Sequence, residues 1–315
     1  MKIAIVLAAV LACAYAAPNK YIIGGEGAKI EDFPYLVSVQ WGKYNTYYHI
    51  CGGAIIDEYN VITAKHCCEK FPARELFVLA ESDKVKVTKE EISKLGEKFH
   101  VVEALQLIDL ETPESFQDPP TKGADLCVLQ LKKPLTNVPK VDYAEITEES
   151  NFEKLKLAGW GYKDADSSKM SEEELLQSTK IDIITKDECK ENLKKLGVEE
   201  EFLHEDNFCT MHDVENESSS QTVCNGDSGG PLVDVVEDSE GKAVSYNLIG
   251  IVSWGVIPCG AEGIPSIFTE VNKYKEQISK KLKEKPEEKP EEPEEKPEEP
   301  EEKPEEPEEK PEEKP

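Results

Sequence analysis

The sequence predicts an all-β domain followed by an acidic tail, and three observations support this prediction. Two helices only are predicted, at residues 187–196 and 272–282, each beginning at a capping-type residue. The composition changes at residue 284, after which only Glu, Lys and Pro occur. Short apolar runs punctuated by Gly, Pro, Asn and Asp dominate the rest, a pattern typical of a β-barrel or β-sandwich; they cover residues 35–41, 54–56, 76–79, 126–131, 156–159, 180–184 and 248–254.

The first 21 residues are predicted to be absent from the mature protein. Lys2 precedes an apolar stretch, residues 3–13, which is too short to span a membrane as a stable helix. Ala14-Tyr15-Ala16 supplies the small residues of a cleavage site. We therefore expect a signal peptide at residues 1–16, a pro-segment at 17–21 and a secreted, extracellular protein.

Residues 284–315 form a tail of 17 Glu, six Lys and nine Pro. Proline at every third or fourth position prevents a helix. Without apolar residues the tail has nothing to bury, so we expect it to be disordered and extended. A solvated spacer and a docking segment are both compatible with this composition, and the sequence leaves the two roles open.

The domain between these segments is strongly acidic. The chain carries a net charge of −28, of which the tail contributes −11. With Lys2 and Lys20 also set aside, residues 22–283 carry −19. Such a surface repels polyanions, so nucleic acid and anionic membranes are not expected partners.

Eight cysteines remain once Cys13 leaves with the signal peptide. In a secreted chain, cysteines in this number favour disulfides over metal thiolates. No CxxC pair or His/Cys cluster has the spacing of a zinc site, so neither a metal nor another cofactor is predicted. A run of acidic residues between 81 and 91 lacks a diagnostic calcium-binding spacing.

The segment Cys224-Asn225-Gly226-Asp227-Ser228-Gly229-Gly230-Pro231 predicts a serine nucleophile on a tight turn. Gly226 has no Cβ and allows the backbone to approach a substrate carbonyl closely. The N–H groups of Gly226 and Ser228 can form an oxyanion hole. A histidine, His66, and an aspartate, Asp125, precede this serine and are its candidate partners.

With these residues the chain resembles the trypsin/chymotrypsin family of serine endopeptidases over residues 22–283. The resemblance implies two packed six-stranded antiparallel β-barrels with a C-terminal helix and an active site in the cleft between them. It assigns Ser228 as nucleophile, His66 as general base and Asp125 as the group that orients the histidine. An esterase or lipase is not indicated, because the serine motif and the residue order differ.

Further segments carry the same resemblance. Ser253-Trp254-Gly255 is similar to the strand that pairs with an extended substrate. Ile22 is similar to the mature N-terminus whose ammonium pairs with the aspartate before the nucleophile, here Asp227. His49 and Ser38 stand where inactive precursors of the family hold that aspartate. A glycosylation sequon begins at Asn216.

The resemblance also pairs six cysteines, as Cys51–Cys67, Cys189–Cys209 and Cys224–Cys259. Cys68 follows His66 by two residues, and Cys127 follows Asp125 by two. If His66 and Asp125 touch, these cysteines are also close, so we predict a fourth bridge, Cys68–Cys127. Two buried free thiols are the alternative.

The family's pocket positions predict a neutral, mid-sized primary pocket. Thr222 stands at the base, where an acidic residue would select Arg or Lys. Gly255 leaves the wall open, and Ser266 narrows the bottom. Because a buried cation would have no partner there, we expect cleavage after Leu, Met, Phe or Tyr rather than after Arg or Lys.

Two departures from the family support an alternative function. Tyr21, not Lys or Arg, precedes Ile22, and Lys65 stands before His66 where the family usually has a small residue. Lys65 can extend outward or crowd the histidine and weaken it as a base. The alternative is a catalytically silent paralogue that binds peptides or inhibitors. The main expectation is a monomeric endopeptidase with protein or peptide substrates and protein inhibitors as partners.

Overall fold

The computed structural model describes residues 26–95, 100–109, 125–147, 150, 152, 155–161, 175–178, 181–211, 222–257, 259 and 263–283. The chain divides into two units, Met1–Lys283 and Glu284–Pro315. The signal peptide, the pro-segment, Ile22, Asn216 and the acidic tail lie outside the described residues, so the expectations for them stay predictions.

The first half of the described chain contains mostly strands. They are β1 (Glu26–Ala28), β2 (Leu36–Lys43), β3 (Thr46–Asp57), β4 (Asn60–Thr63), β5 (Leu76–Ala80), β6 (Val87–Thr88), β7 (His100–Asp109) and β8 (Cys127–Leu131). Two short helices, α1 (Lys65–Cys68) and α2 (Lys89–Leu95), interrupt them. Strands β2, β5, β7, β8, β4 and β3 pair antiparallel in that order, and β3 returns to β2, which closes a six-stranded barrel.

The second half contains β9 (Asp142–Tyr143), β10 (Leu155–Gly159), β11 (Leu175–Ser178), β12 (Asp182–Ile184), β13 (Asn207–Met211), β14 (Pro231–Glu237), β15 (Ala243–Gly255) and β16 (Ser266–Glu270). Its sheet runs β1-β11-β10-β14-β15-β16-β13-β12, with β9 parallel to β15. This half also contains two longer helices. Helix α3 (Lys186–Lys195) lies between β12 and β13, and α4 (Lys275–Lys283) comes after β16.

The predicted all-β architecture with a C-terminal helix is confirmed, with one difference in the second sheet. Instead of a six-stranded ring, the described residues form an open, nine-stranded sheet. Within the described residues β1 at one edge pairs with β11 and β12 at the other edge pairs with β13, and no ladder joins the two edges. Among the described helices, none is both long and apolar enough to cross a membrane.

The two predicted helices are present with shifted starts. Thr185, not Asp187, caps α3, because the Thr185 side chain accepts a hydrogen bond from the N–H of Glu188. Asn272–Tyr274 form a 3₁₀ turn before α4 begins. Ile278 of α4 is fully buried and joins the same apolar cluster as first-barrel residues such as Val37 and Ile62, so burial of this side chain anchors the helix.

The hairpin between β2 and β3 places aromatic side chains on the surface. Its two turn residues, Tyr44 and Asn45, have φ angles of 49° and 64°. A two-residue turn with both φ values positive matches the twist of the flanking strands. Asn tolerates this conformation, whereas Tyr adopts it rarely. Along β3, Tyr47 is buried and Tyr48 is exposed, as strand alternation requires.

Candidate active site

Asp125 is fully buried and accepts three hydrogen bonds. The N–H of His66 donates to Asp125 Oδ1 at 3.0 Å, and His66 Nδ1 lies 2.8 Å from Asp125 Oδ2. The Ser253 hydroxyl donates to the same Oδ2 at 2.7 Å. Because an ionised carboxylate only accepts hydrogen bonds, the His66 proton is on Nδ1 and Nε2 is left as an acceptor.

Sequence reasoning assigned Ser253 to substrate binding and missed this contact with Asp125. The two residues are 128 positions apart, and a serine in a strand carries no local signal of such a partner. The contact forms because β15 and the segment before β8 meet at the cleft. Asp125 is therefore held from two elements, and its carboxylate cannot rotate away from the His66 ring.

The predicted nucleophile lies on a turn that packs tightly on the first barrel. The N–H of Gly52 donates to the carbonyl of Ser228 at 2.8 Å, and the N–H of Gly229 donates to the carbonyl of Val252 at 2.9 Å. Gly229 has a φ of +76°, and a Cβ there would lie 2.2 Å from Thr63 Oγ1. Only glycine fits this approach.

The predicted oxyanion donors remain available for a ligand. Gly226 has a φ of 99°, the left-handed region that glycine enters without strain. Within the described residues, no hydrogen bond occupies the N–H of Gly226 or that of Ser228. Two main-chain donors on one turn, both unused, are what a developing oxyanion requires.

His66 and Ser228 line the same cavity, which has a volume of about 300 Å³. Thr222 and Ser266, which sequence analysis predicted at the base of the pocket, also line this cavity, and their hydroxyls are hydrogen-bonded to each other at 2.7 Å. The remaining wall residues include Ser253, Trp254, Gly255, Ile257, Cys259 and Pro265. Among the described lining residues the only ionisable side chains are His66 and Lys70, so this part of the cavity has no carboxylate.

Asp227 is buried, and the N–H groups of two neighbours hold its carboxylate. Gly161 donates to Oδ1 at 2.9 Å and Cys224 donates to Oδ2 at 3.0 Å. A Cβ at Gly161 would lie within 2.3 Å of this carboxylate, which explains the glycine. Ile22, the predicted partner of Asp227, lies outside the described residues.

His49 and Ser38 do not hold the Asp227 carboxylate in this structure. His49 Nδ1 lies 2.6 Å from Ser38 Oγ, and His49 Nε2 lies 2.9 Å from the carbonyl of Gly226. Gln40, which sequence analysis missed, donates to Ser38 Oγ at 2.5 Å. The carbonyl is an acceptor, so Nε2 of His49 carries a proton. The role of this pair in a precursor stays a prediction.

Burial shifts the pKa of both groups. Burial raises the pKa of Asp227 to about 6, against the opposing effect of the N–H groups of Cys224 and Gly161. Burial lowers the pKa of His49 to about 4, although its bond to Gly226 favours the protonated ring. Each shift corresponds to a change of about 3 kcal/mol in the free energy of protonating the group, relative to its ordinary value. The two pKa values move in opposite senses relative to the unfolded chain.

We expect these two groups to contribute opposing slopes to the stability of the full chain. Between about pH 4 and 6 the folded state keeps the Asp227 proton that the unfolded state has lost, so this contribution falls as pH rises. Folded His49 stays neutral where the unfolded histidine is charged, so its contribution rises with pH. Removing Asp227 as Asp227→Asn therefore makes stability rise more steeply with pH.

Thermal unfolding of the full chain and of Asp227→Asn between pH 4 and 7 measures this slope. The asparagine also costs a constant amount, because its amide faces an N–H donor; the slope is the readout. His49→Gln should make stability rise less steeply with pH than in the parent chain. Asp182→Asn, at an exposed position of β12, should leave the slope of stability against pH unchanged. If stability changed with pH in the same way in Asp227→Asn and in the parent chain, the result would contradict the assigned pKa of Asp227.

The described residues contain four disulfides, and these are the four predicted pairs. Cys51–Cys67, Cys189–Cys209 and Cys224–Cys259 follow the family pattern. The bridge between Cys68 and Cys127 joins the segments that carry His66 and Asp125. Cys68 and Cys127 are therefore not free thiols, which was the alternative.

Lys65 lies along α1 rather than in open solvent. Its Nζ is 3.8 Å from Glu69 Oε1, four residues further on, and its side chain is 13% exposed. The ammonium is thus directed along the helix toward a carboxylate. Lys70, which sequence analysis missed, lies beyond the same helix and lines the cavity with His66.

Two clusters of metal-ligating side chains occur in the described part of the chain. Cys51 and Cys67, beside His66, are bonded to each other and offer no thiolate. In the other cluster, at residues 204–206, Lys273 Nζ lies 3.4 Å from Asp206 and Tyr274 donates a hydrogen bond to the same carboxylate. The ammonium of Lys273 therefore already lies beside the carboxylate of this cluster.

Comparisons with known proteins agree with this geometry. The family model described as Trypsin matches residues 22–278. The chain is 29% identical over 265 residues to Trypsin from Sarcophaga bullata, covering 84% of this chain and 89% of that protein. It is 28% identical over 267 residues to Hypodermin-B from Hypoderma lineatum, covering 83% and 88%.

A third relative is much longer than this chain. Serine proteinase stubble from Drosophila melanogaster is 28% identical over 270 residues, which is 82% of this chain but 31% of that protein. The match therefore spans about a third of that relative.

Proposed function

We propose, from the premise that this chain belongs to the trypsin family, that it is a secreted serine endopeptidase. The observation that carries the proposal is the buried Asp125 carboxylate, which holds His66 at two points beside the cavity that contains Ser228. A serine hydroxyl is a weak nucleophile without an adjacent base. A histidine with Nδ1–H on a carboxylate and a free Nε2 is such a base.

The proposed reaction proceeds through an acyl-enzyme. His66 Nε2 takes the proton as Ser228 Oγ attacks the scissile carbonyl, and the N–H groups of Gly226 and Ser228 stabilise the oxyanion. His66 then gives this proton to the leaving amine, the C–N bond breaks and the acyl group stays on Ser228. Water hydrolyses the ester by the reverse proton route, and Asp125 remains ionised throughout.

The proposed substrates carry an apolar side chain before the cleaved bond. The Thr222–Ser266 pair, which this proposal assigns to the base of the cavity, is neutral, and its hydroxyls satisfy each other. A Lys or Arg side chain would bring a cation to a base whose described residues hold no carboxylate, at the cost of an unpaired buried charge. Leu, Met, Phe and Tyr fill such a site, and Ser253–Gly255 would pair with the substrate backbone.

Activation by release of Ile22, glycosylation at Asn216 and recognition by protein inhibitors belong to the same proposal. Tyr21 before Ile22 requires an activating protease that cleaves after an aromatic residue. The silent, peptide-binding alternative is not favoured, because a binding protein has no need of the Asp125–His66–Ser228 arrangement together with two unused oxyanion donors.

The experiment is titration with a fluorophosphonate on protein processed to begin at Ile22, followed by kcat/KM on a panel of single-residue anilides. We expect stoichiometric labelling that Ser228→Ala abolishes, and a preference for Leu, Met, Phe or Tyr over Arg by at least tenfold. Ser82→Ala, a matched change at a serine outside the cavity, should label fully. No labelling of protein with a verified Ile22 terminus would overturn the proposal and support the binding alternative.

A further inference from the structure

Asn225 is followed by glycine, and this is the one Asn-Gly pair in the sequence. An asparagine side chain can react with the main-chain nitrogen of the next residue, and the five-membered ring closes most easily when that residue has no Cβ. Asparagine is accordingly among the thermolabile residues of proteins. The pair lies in the turn that carries the predicted oxyanion donor, Gly226, so a change here alters the candidate active site.

Asn225 is exposed, and it lines the cavity that contains His66 and Ser228. Within the described residues its side chain has no hydrogen bond. Neither packing nor a polar partner in this part of the chain therefore holds the amide away from the main chain. Water, which the later steps of such a reaction consume, also reaches an exposed side chain.

The peptide between Asn225 and Gly226 is unrestrained at both of its polar groups. On either side of it, the N–H of Asp227 donates to the carbonyl of Cys224 at 3.0 Å, and His49 Nε2 donates to the carbonyl of Gly226 at 2.9 Å. Neither the carbonyl of Asn225 nor the N–H of Gly226 has a partner among the described residues. Gly226 has a φ of 99°, and rotation of such a central peptide converts one common turn type into another. The Gly226 nitrogen can therefore face the Asn225 side chain while the rest of the turn stays in place.

The proposed catalysis itself requires that the Gly226 nitrogen be left open. An oxyanion donor must stay free until the tetrahedral intermediate forms, so the fold cannot protect this nitrogen with a hydrogen bond of its own. The same free N–H is accessible to the neighbouring side chain. When an oxygen of a bound ligand accepts a hydrogen bond from this N–H, the nitrogen is engaged and its attack on the side chain is blocked.

We propose that Asn225–Gly226 is a site of spontaneous covalent modification, at which the free enzyme loses ammonia and thereby disables its own oxyanion hole. A ligand in the oxyanion hole slows this conversion, so the enzyme ages fastest when it has no substrate. The effect on activity rests on the proposed function, whereas the modification depends only on the turn.

The proposed reaction begins when the Gly226 nitrogen attacks Cγ of Asn225. The bond between Cγ and Nδ2 breaks, the proton of the Gly226 nitrogen passes to Nδ2, which leaves as ammonia, and a succinimide ring remains. Water then opens the ring at one of its two carbonyls. Attack at Cγ gives aspartate, and attack at the main-chain carbonyl gives isoaspartate, whose main chain is one methylene longer. The sum is an exchange of NH2 for OH, without oxidant or reductant.

Each product impairs the oxyanion hole in a different way. In the succinimide the Gly226 nitrogen carries no proton, so one donor is lost. In isoaspartate the extra methylene displaces this N–H from its place beside the N–H of Ser228. In aspartate the donor stays, but a carboxylate stands close to the developing negative charge and opposes it. Because removal of one oxyanion donor lowers kcat by about two to three orders of magnitude, we expect the isoaspartate form to lose activity by that factor.

Mass spectrometry of Ser228→Ala protein tests the modification without interference from self-digestion. After incubation in mildly alkaline buffer, the peptide that contains residue 225 should gain the mass of an NH2-to-OH exchange, and isoaspartyl methyltransferase should label it. Asn45, an exposed asparagine followed by threonine, should keep its amide in the same sample. An acetylated peptide of residues 225–231 verifies that the conditions suffice. An intact Asn225 in the protein, under conditions that convert this peptide, would overturn the inference.

The active chain, processed to begin at Ile22, tests the effect on the oxyanion hole. Its kcat for an anilide should fall in step with the conversion of Asn225. Asn225→Gln should keep its own starting activity over the same period, because its longer side chain closes a ring less readily, and Asn45→Gln should age like the parent. A peptide aldehyde, whose hemiacetal oxygen on Ser228 occupies the hole, should slow the conversion in proportion to the fraction of enzyme bound.

The outcomes separate this inference from the proposed function. Conversion of Asn225 with an unchanged kcat, or equal conversion with and without bound aldehyde, would overturn the link between this site and the oxyanion hole. Absence of fluorophosphonate labelling in fresh, processed protein would overturn the proposed function and the predicted loss of activity with it. That result would leave the modification standing, since the modification of Ser228→Ala protein is measured by mass.

Discussion

Replacing Asp125 by asparagine is expected to lower kcat by about four orders of magnitude, the size of this effect in the template enzyme of the family. The side chain keeps its shape, so the N–H of His66 can still donate to Oδ1. The amide that replaces Oδ2, however, would face His66 Nδ1 and the Ser253 hydroxyl. The ring then carries its proton on Nε2 and cannot accept the proton of Ser228.

Single-turnover kinetics with an anilide substrate measure this loss directly. KM should change little, because Asp125 is buried and touches no substrate. Asp142→Asn, on exposed β9, is the matched control and should retain parent activity. A near-normal kcat for Asp125→Asn would contradict the assignment of Asp125 as the residue that orients His66.

Removing the Cys68–Cys127 bridge is expected to cost about 4 kcal/mol of stability, from the chain entropy released by opening a loop of 59 residues. The double variant Cys68→Ala, Cys127→Ala should therefore unfold roughly 10 °C below the parent. The bridge also joins the segments that carry His66 and Asp125, so kcat should fall as well.

Calorimetry on the double variant tests the stability loss, and thiol titration of the denatured parent tests the bond itself. The matched control is Cys189→Ala, Cys209→Ala, which opens a loop of 20 residues far from His66 in sequence and should cost about 1 kcal/mol less. Two titratable thiols in the processed parent protein, or an unchanged midpoint in the Cys68/Cys127 variant, would contradict the prediction.

Much of the fold follows from local sequence pattern. The predicted run at 35–41 corresponds to β2, and the run at 126–131 to β8, because short apolar runs bounded by turn residues favour buried strands, and both strands are buried along most of their length. Helix starts were less accurate. Asp187 and Thr185 are both capping-type residues, and only the backbone geometry decides that Thr185 accepts the hydrogen bond.

For the candidate site, the sequence predicts the types of residue that act there but not the contacts between them. The serine segment with its glycines predicts Ser228 as the nucleophile and Gly226 as an oxyanion donor, since the turn needs residues without a Cβ. The contact between His49 and the carbonyl of Gly226 joins positions 177 apart, and sequence analysis, which gave His49 a role in a precursor, did not predict it. No local pattern identifies a carbonyl so far along the chain as the partner of a histidine.

Residue types, strand periodicity and the glycine-bracketed serine were determined by the sequence itself, because they depend on side-chain chemistry and on neighbours within a few positions. Only the tertiary structure decided that Ser253 supports Asp125, that His49 binds Gly226, and that Lys70 lines the cavity with His66. Those contacts depend on how β3, β8 and β15 are registered in their sheets, and register is set by packing across the whole domain.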